Sequence, residues 1–139
     1  MKKTMTHRII AIDGPSGAGK STVARALGRT LGFLHVDSGA LYRIVTWQAL
    51  QETVDCRDPR ALAGLVERIP LECFAVDGAV RCRVAGIEPG DALRTPEINA
   101  NVSPVSRVPE VRRRVTQWLR DMRQLGDLVV EGRDIGSVV

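Results

Sequence analysis

Lysine is scarce in this chain. Only Lys2, Lys3 and Lys20 occur among twenty lysines and arginines, so Lys20 stands alone beyond the N-terminal tail. Aromatic residues are few as well: two Phe, one Tyr and two Trp. A formal charge of +4 is therefore not read as a nucleic-acid surface, because bases would find little to stack on. Arginine instead suits forked contacts with a small phosphorylated ligand. The three cysteines, Cys56, Cys73 and Cys82, lack zinc-ligand spacing and are expected to be free thiols. No apolar run reaches 18 residues, which excludes a transmembrane helix. The basic start is followed only by Ile9-Ile10-Ala11-Ile12 and then Asp13, too short for a signal-peptide core. A cytoplasmic location is expected, with no membrane and no nucleic-acid partner. There is no internal repeat and no low-complexity stretch. What remains is 139 residues, 44% hydrophobic and 26% charged, a single domain able to bury a core without disulfides.

Patterning predicts the elements. Arg8 to Asp13 is a β-branched run stopped by Gly14-Pro15, as in a buried parallel strand. Lys20 to Leu31 reads as a helix with Val23, Ala24, Leu27 and Leu31 on one face and Gly32 as its C-cap. Leu34-His35-Val36 is a second strand. Ser38 is expected to N-cap a helix reaching Gln51, with Leu41, Val45 and Leu50 among its apolar positions. Pro59 to Glu67 suggests a short helix. Leu71 to Val76 and Val80 to Val84 read as strands joined through Asp77-Gly78, a two-residue hairpin signal that pairs Cys73 with Cys82. A hairpin does not belong inside a parallel crossover, so residues 56 to 104 read as an insert on the sheet's rim, punctuated by Pro89-Gly90, Pro96 and Pro104. Pro109 to Leu125 is a helix with Val111, Val115, Trp118 and Met122 on one side, and Leu128-Val129-Val130 is another buried strand. This alternation predicts an α/β fold with a parallel sheet and helices on both faces.

The segment Gly14-Pro15-Ser16-Gly17-Ala18-Gly19-Lys20-Ser21 matches G-x-x-x-x-G-K-[ST] in full, between a strand and a helix. Glycines let successive backbone N–H groups converge on phosphate oxygens, and the helix N-terminus adds positive potential. Lys20 is placed to reach the β- and γ-phosphates. Ser21 supplies a hydroxyl for Mg²⁺, a cation that takes few protein ligands. The motif implies a nucleoside triphosphate and leaves its fate open.

Two more motifs fall where strands end, the edge at which parallel sheets bind ligands. After the second strand come Asp37-Ser38-Gly39-Ala40-Leu41-Tyr42-Arg43; Ser38 is suited to an anion, and Arg43 can fork onto a phosphate. The last strand leads into Gly132-Arg133-Asp134, a cation beside an anion. Of Arg112-Arg113-Arg114, helical geometry lets at most one or two share a site. His7 and His35 belong to no motif and receive no role.

With these residues in view, the sequence resembles the bacterial cytidylate kinases. The likeness rests on the phosphate loop with Ile12-Asp13 before it, on residues 37–43, on Arg94-Thr95-Pro96-Glu97-Ile98, on Pro109-Glu110-Val111-Arg112, and on Glu131 to Val139. It runs through essentially the whole chain in order, and the hairpin insert matches that family's enlarged nucleotide-binding insert. The resemblance implies a nucleoside-monophosphate-kinase fold over residues 1–139. It implies transfer of the γ-phosphoryl group of ATP to CMP or dCMP, with Mg²⁺. Gly14, Pro15, Ser16, Gly17, Ala18, Gly19, Lys20, Ser21 and Thr22 would bind ATP, and Ser21 would help hold the metal. Ser38, Arg43 and Arg133 would hold the CMP phosphate, with Lys20, Arg43 and Arg133 as the catalytic cations. Ser103, Arg112 and Asp134 would recognise cytosine.

The family also carries two further strands and an arginine-bearing lid. Neither is within these 139 residues, so the chain alone is expected to be weakly active or inactive, with a sheet edge uncovered. A full-length protein is expected to be a monomer. Two other readings remain: a P-loop kinase for another small acceptor, and a non-catalytic nucleotide-binding fragment.

Overall fold

The computed structural model describes residues 7–14 and 19–132. In chain order the elements are β1 (Ile9–Asp13), α1 (Lys20–Leu31), β2 (Leu34–Asp37), α2 (Ser38–Gln51), α3 (Pro59–Glu67), β3 (Leu71–Val76), β4 (Ala79–Val84), α4 (Pro96–Ser106), α5 (Pro109–Asp121) and β5 (Leu128–Gly132). Short 3-10 turns occupy Gly90–Arg94 and Met122–Leu125. One five-stranded sheet runs in the order β1-β5-β2-β4-β3. β5 pairs in parallel with β1 on one side and β2 on the other, and β4 joins β2 in parallel at His35↔Ala79. This is the α/β architecture that the alternation of strand and helix signals predicts.

Local chemistry explains most boundaries. Gly19 opens α1 at φ 76° and Gly32 closes it at φ 72°, both in the left-handed region that glycine enters without steric cost. Asp58 caps α3 through bonds from the Arg60 and Ala61 N–H groups, with Pro59 at the first helical position. Asp77 and Gly78 both have positive φ, as a type I′ hairpin turn requires. The register of that hairpin is visible in two cross-strand pairs: Arg83 with Glu72, and Arg81 over the Phe74 ring. None of the three cysteines is in a disulfide.

Several expectations differ from the structure, beginning with β1, which is a half-buried edge strand rather than a buried one. Val23 and Leu31 are exposed, and α1 buries Ala24, Gly28 and part of Leu27 instead. The helix expected to reach Leu125 ends at Asp121 and tightens into a 3-10 turn. The stretch marked by Pro96 and Pro104 is a helix, α4, capped by Thr95, whose hydroxyl accepts from the Ile98 N–H at 3.3 Å. Its two prolines do not break it. Pro96 sits at the first position, where no N–H is needed, and Pro104 lies in the last turn.

The chain divides into two compact units. The first comprises Met1–Ser38, Cys73–Arg81 and Trp118–Val139; the second comprises Gly39–Glu72 and Cys82–Gln117. In the first, Ala24 and Phe33 pack with Val129, and Ile10, Ile12 and Leu27 border them. Residues 10 and 12 of β1, 35 and 37 of β2, and 129 and 131 of β5 share one face of the sheet by register. At the strands' entry, Arg8 donates its N–H to Asp127 at 2.6 Å, lies over the Phe33 ring, and accepts at its carbonyl from the Leu128 N–H. His7 anchors the same end by donating from Nδ1 to the Arg123 carbonyl. In the second unit, Leu41, Val45, Leu62, Leu65, Val66, Ile98, Val105, Val111 and Val115 are almost fully buried.

Candidate functional site

In the first unit, the carboxyl ends of β1, β5 and β2 come level, with Asp13 beside Gly132 and Asp37 beside Glu131. The Gly14 N–H donates to the Gly132 carbonyl at 3.2 Å, holding the start of the phosphate loop against β5. Pro15, Ser16, Gly17 and Ala18 lie outside the described residues. The loop re-enters at Gly19, and α1 begins at once with Lys20. Among the described residues no side chain caps this helix start, and its first turn carries no acid. Its leading N–H groups have no partner within the helix, which suits them to an anion. Thr22 is exposed in this first turn.

Glu131 is the centre of this end of the sheet. It is the one charged residue among the buried described residues, at 2% exposure. The Ser21 hydroxyl donates to one carboxylate oxygen, Oε1. His35 Nε2 donates to the other, Oε2, at 2.5 Å. Burial alone would raise the Glu131 pKa, but the bonds from Ser21 and His35, with the nearby His35 and Lys20 charges, hold it below the ordinary carboxylate value. The group is thus kept ionised and oriented. His35 belongs to no sequence motif, and Glu131 opens the run from Glu131 to Val139 without receiving a role there. The usable signal was a carboxylate closing an otherwise apolar strand, Leu128-Val129-Val130-Glu131.

Ser38 is the first residue of α2 rather than the capping residue ahead of it. Its buried hydroxyl donates to the Glu131 carbonyl at 2.8 Å. That bond ties the start of α2 to the end of β5, and it commits the hydroxyl proton to the backbone.

The second unit holds the other expected ligand residues that are described. Arg43 donates through Nη1 to the Leu93 carbonyl at 3.0 Å and to the Asn99 side-chain oxygen at 2.6 Å. A guanidinium carries five N–H donors, so Nε and Nη2 retain the capacity to fork onto a phosphate. Ser103 is exposed on α4, one turn beyond Asn99, and Arg112 is exposed near the start of α5. Burial raises the pKa of Tyr42, and the positive charge of Arg112 draws it part of the way back. Tyr42 is thus near Arg112 and Asn99 is bonded to Arg43, and the sequence motifs gave neither Tyr42 nor Asn99 a role. Arg133 and Asp134 lie outside the described residues.

The metal implied by the phosphate loop can be tested against these residues. No group of three or more His, Cys, Asp or Glu among the described residues has metal-binding geometry. Ser21 and the ionised Glu131 present hard oxygen donors side by side. This set fits Mg²⁺, which binds through one or two protein oxygens, phosphates and water.

A glycine-flanked helix start, a lysine and a serine–carboxylate pair at the carboxyl edge of a parallel sheet define a P-loop α/β protein. The family model for cytidylate kinase matches residues 10–139. The chain is 41% identical over 139 residues to a cytidylate kinase of Exiguobacterium sp. (strain ATCC BAA-1283 / AT1b), covering 100% of this chain and 61% of that protein. It is 46% identical over 132 residues to a cytidylate kinase of Pelotomaculum thermopropionicum, covering 94% and 58%. It is also 46% identical over 132 residues to a bifunctional pantoate ligase/cytidylate kinase of Prochlorococcus marinus (strain MIT 9313), covering 94% and 26%. The chain belongs to the cytidylate kinase family. It spans between 26% and 61% of the length of these curated relatives.

Proposed function

We propose that this chain supplies the nucleotide-binding portion of a kinase that transfers the γ-phosphoryl group of ATP to CMP or dCMP, yielding CDP or dCDP. One observation carries the reading most directly: the phosphate-loop Ser21 donates to the buried, ionised Glu131 at the N-terminus of α1. Mg²⁺, when bound, neutralises charge on the transferring phosphates. Ser21 would offer it the hydroxyl oxygen, and Glu131 would orient that hydroxyl. Lys20 and the loop N–H groups would hold the triphosphate. Ser38, Arg43 and Arg133 would hold the CMP phosphate, with Arg43 and Arg133 offsetting its repulsion from ATP. An oxygen of that phosphate would then attack the γ-phosphorus as the bond to the β-phosphate oxygen breaks. The chemistry depends on alignment and charge, with little covalent work for the protein.

Ser103, Arg112 and Asp134 would read the base, and residues 56–104 would form the insert that houses it. A carboxylate accepts from the cytosine N4 amino group and opposes the carbonyl that uracil carries there. The partners are then ATP and CMP or dCMP. No described helix is long and apolar enough to cross a membrane.

Calorimetric titration with CMP, dCMP, UMP, AMP and shikimate, alongside an assay for CDP, tests the reading. CMP is expected to bind more tightly than UMP, and Asp134→Ala is expected to erode that preference by roughly 1–3 kcal/mol without altering ATP affinity. An unchanged CMP/UMP ratio in Asp134→Ala contradicts the base assignment. Preference for AMP or shikimate assigns a different acceptor. CMP and ATP binding without CDP formation assigns a non-catalytic nucleotide-binding role to the chain.

A further inference from the structure

The buried carboxylate of Glu131 has a second partner that the phosphate loop does not account for. His35 comes from β2, with 13% of its side chain exposed against 3% for Glu131. Its backbone N–H is held by the Gly78 carbonyl at 2.9 Å, and its register partner on β5 is Val129. The ring therefore stands on the same face as Glu131, on the diagonal position across two strands. An ionised carboxylate only accepts, so both neighbours must donate to it. The single Ser21 hydroxyl proton goes to Oε1, which leaves the oxygen lone pairs of Ser21 to face away from Glu131. A hard cation needs those lone pairs. Their direction is fixed only while the carboxylate does not swivel, and the terminal torsion of glutamate is soft. The 2.5 Å bond from His35 to Oε2 removes that freedom.

We propose that His35 is a positioning residue: by clamping Glu131 it holds the Ser21 hydroxyl in the orientation that receives the metal of a metal–triphosphate. This rests on the reading of Ser21 as the Mg²⁺ side of an ATP site. His35 acts through Glu131 and has no step of its own in the chemistry. Such partners of ligating groups often govern metal affinity while leaving the rest of the ligand's contacts intact.

The test is calorimetric titration of the protein with ATP in excess Mg²⁺ and in EDTA, for wild type, His35→Leu and His35→Gln. His35→Leu is expected to weaken Mg–ATP binding roughly ten-fold while metal-free ATP binding stays within about two-fold. His35→Gln, whose side-chain N–H can still donate to Oε2, is expected to recover most of the loss. A second readout needs no nucleotide: in nitrogen-15 NMR the His35 Nε2–H should exchange slowly with water and lose that protection in Glu131→Ala, which removes the acceptor. It also decides the matter if the leucine variant does not fold. Equal weakening of both forms of ATP, an unaltered Mg–ATP affinity in His35→Leu, or an unprotected Nε2–H in wild type each overturns the proposal. Wild-type ATP binding that ignores Mg²⁺ overturns the reading of Ser21, and this proposal with it. Normal Mg²⁺ dependence in wild type, unaltered in His35→Leu, overturns the proposal alone.

Discussion

The two compact units handle charge in opposite ways. In the first, the key charge is Glu131, buried at the end of a central strand and bonded by Ser21 and His35. In the second, the key charges are arginines on helices: Arg43 half-buried and tethered to Leu93 and Asn99, and Arg112 exposed. A buried carboxylate with both oxygens occupied is a fixed part of the scaffold, and leaving its partners unsatisfied is costly. A helix-borne arginine is adjustable, since it keeps donors to spare and much of its hydration. The contrast matches a metal–triphosphate site that needs fixed geometry and an acceptor site that needs charge.

Substitutions at the phosphate-loop cluster of the first unit and at the helix arginines of the second should therefore separate by ligand. The largest effect on ligand binding is expected at Lys20→Ala. Losing a charge-assisted contact to phosphate should weaken ATP binding roughly 10- to 100-fold and leave CMP binding unchanged, as read by calorimetry. Arg43→Ala should do the converse, weakening CMP over a similar range, about 10- to 100-fold, with ATP unaffected. A drop in both affinities for either variant would break the comparison.

Stability should divide as well. Leu62→Ala removes a fully buried side chain from the second unit and is expected to cost about 2–5 kcal/mol in denaturant unfolding. Gly78→Ala forces an alanine to φ 78° in the hairpin turn and should cost about 1–2 kcal/mol in the same measurement.

The smallest effect concerns acid. The Glu131 pKa is held below its ordinary value, so its contribution to stability is full above the ordinary carboxylate range and disappears as pH falls through the depressed value. Glu131→Gln should therefore flatten the fall in melting temperature on acidification. Asp127 is held low mainly by the Arg8 backbone N–H. It is solvent-screened, and Asp127→Asn should leave the acid limb nearly unchanged. Equal flattening by both variants would deny Glu131 its special standing.

Much of this was legible in the sequence. The bounds of α1 follow from Gly19 and Gly32, and the hairpin follows from Asp77-Gly78, because those signals are local. α4 was obscured because Pro96 and Pro104 look like breakers, although Thr95-Pro96-Glu97 is itself a helix start. The exposure of Val23 and Leu31 was hidden because periodicity gives a face without saying how much of it the sheet covers. Ser21 was legible from the phosphate-loop motif, but its joining with Glu131 and His35 was not. The three come from two strands and a helix, and only the parallel register brings them together.

The central claim is that metal–triphosphate recognition resides in the Ser21–Glu131 pair and acceptor recognition elsewhere. Its most direct test is a crossed titration of Glu131→Gln and Arg43→Ala with Mg–ATP and with CMP. Glu131→Gln should lose Mg–ATP affinity and keep CMP affinity, and Arg43→Ala should show the reverse. Parallel losses of both ligands in both variants, or full Mg–ATP affinity in Glu131→Gln, would contradict it.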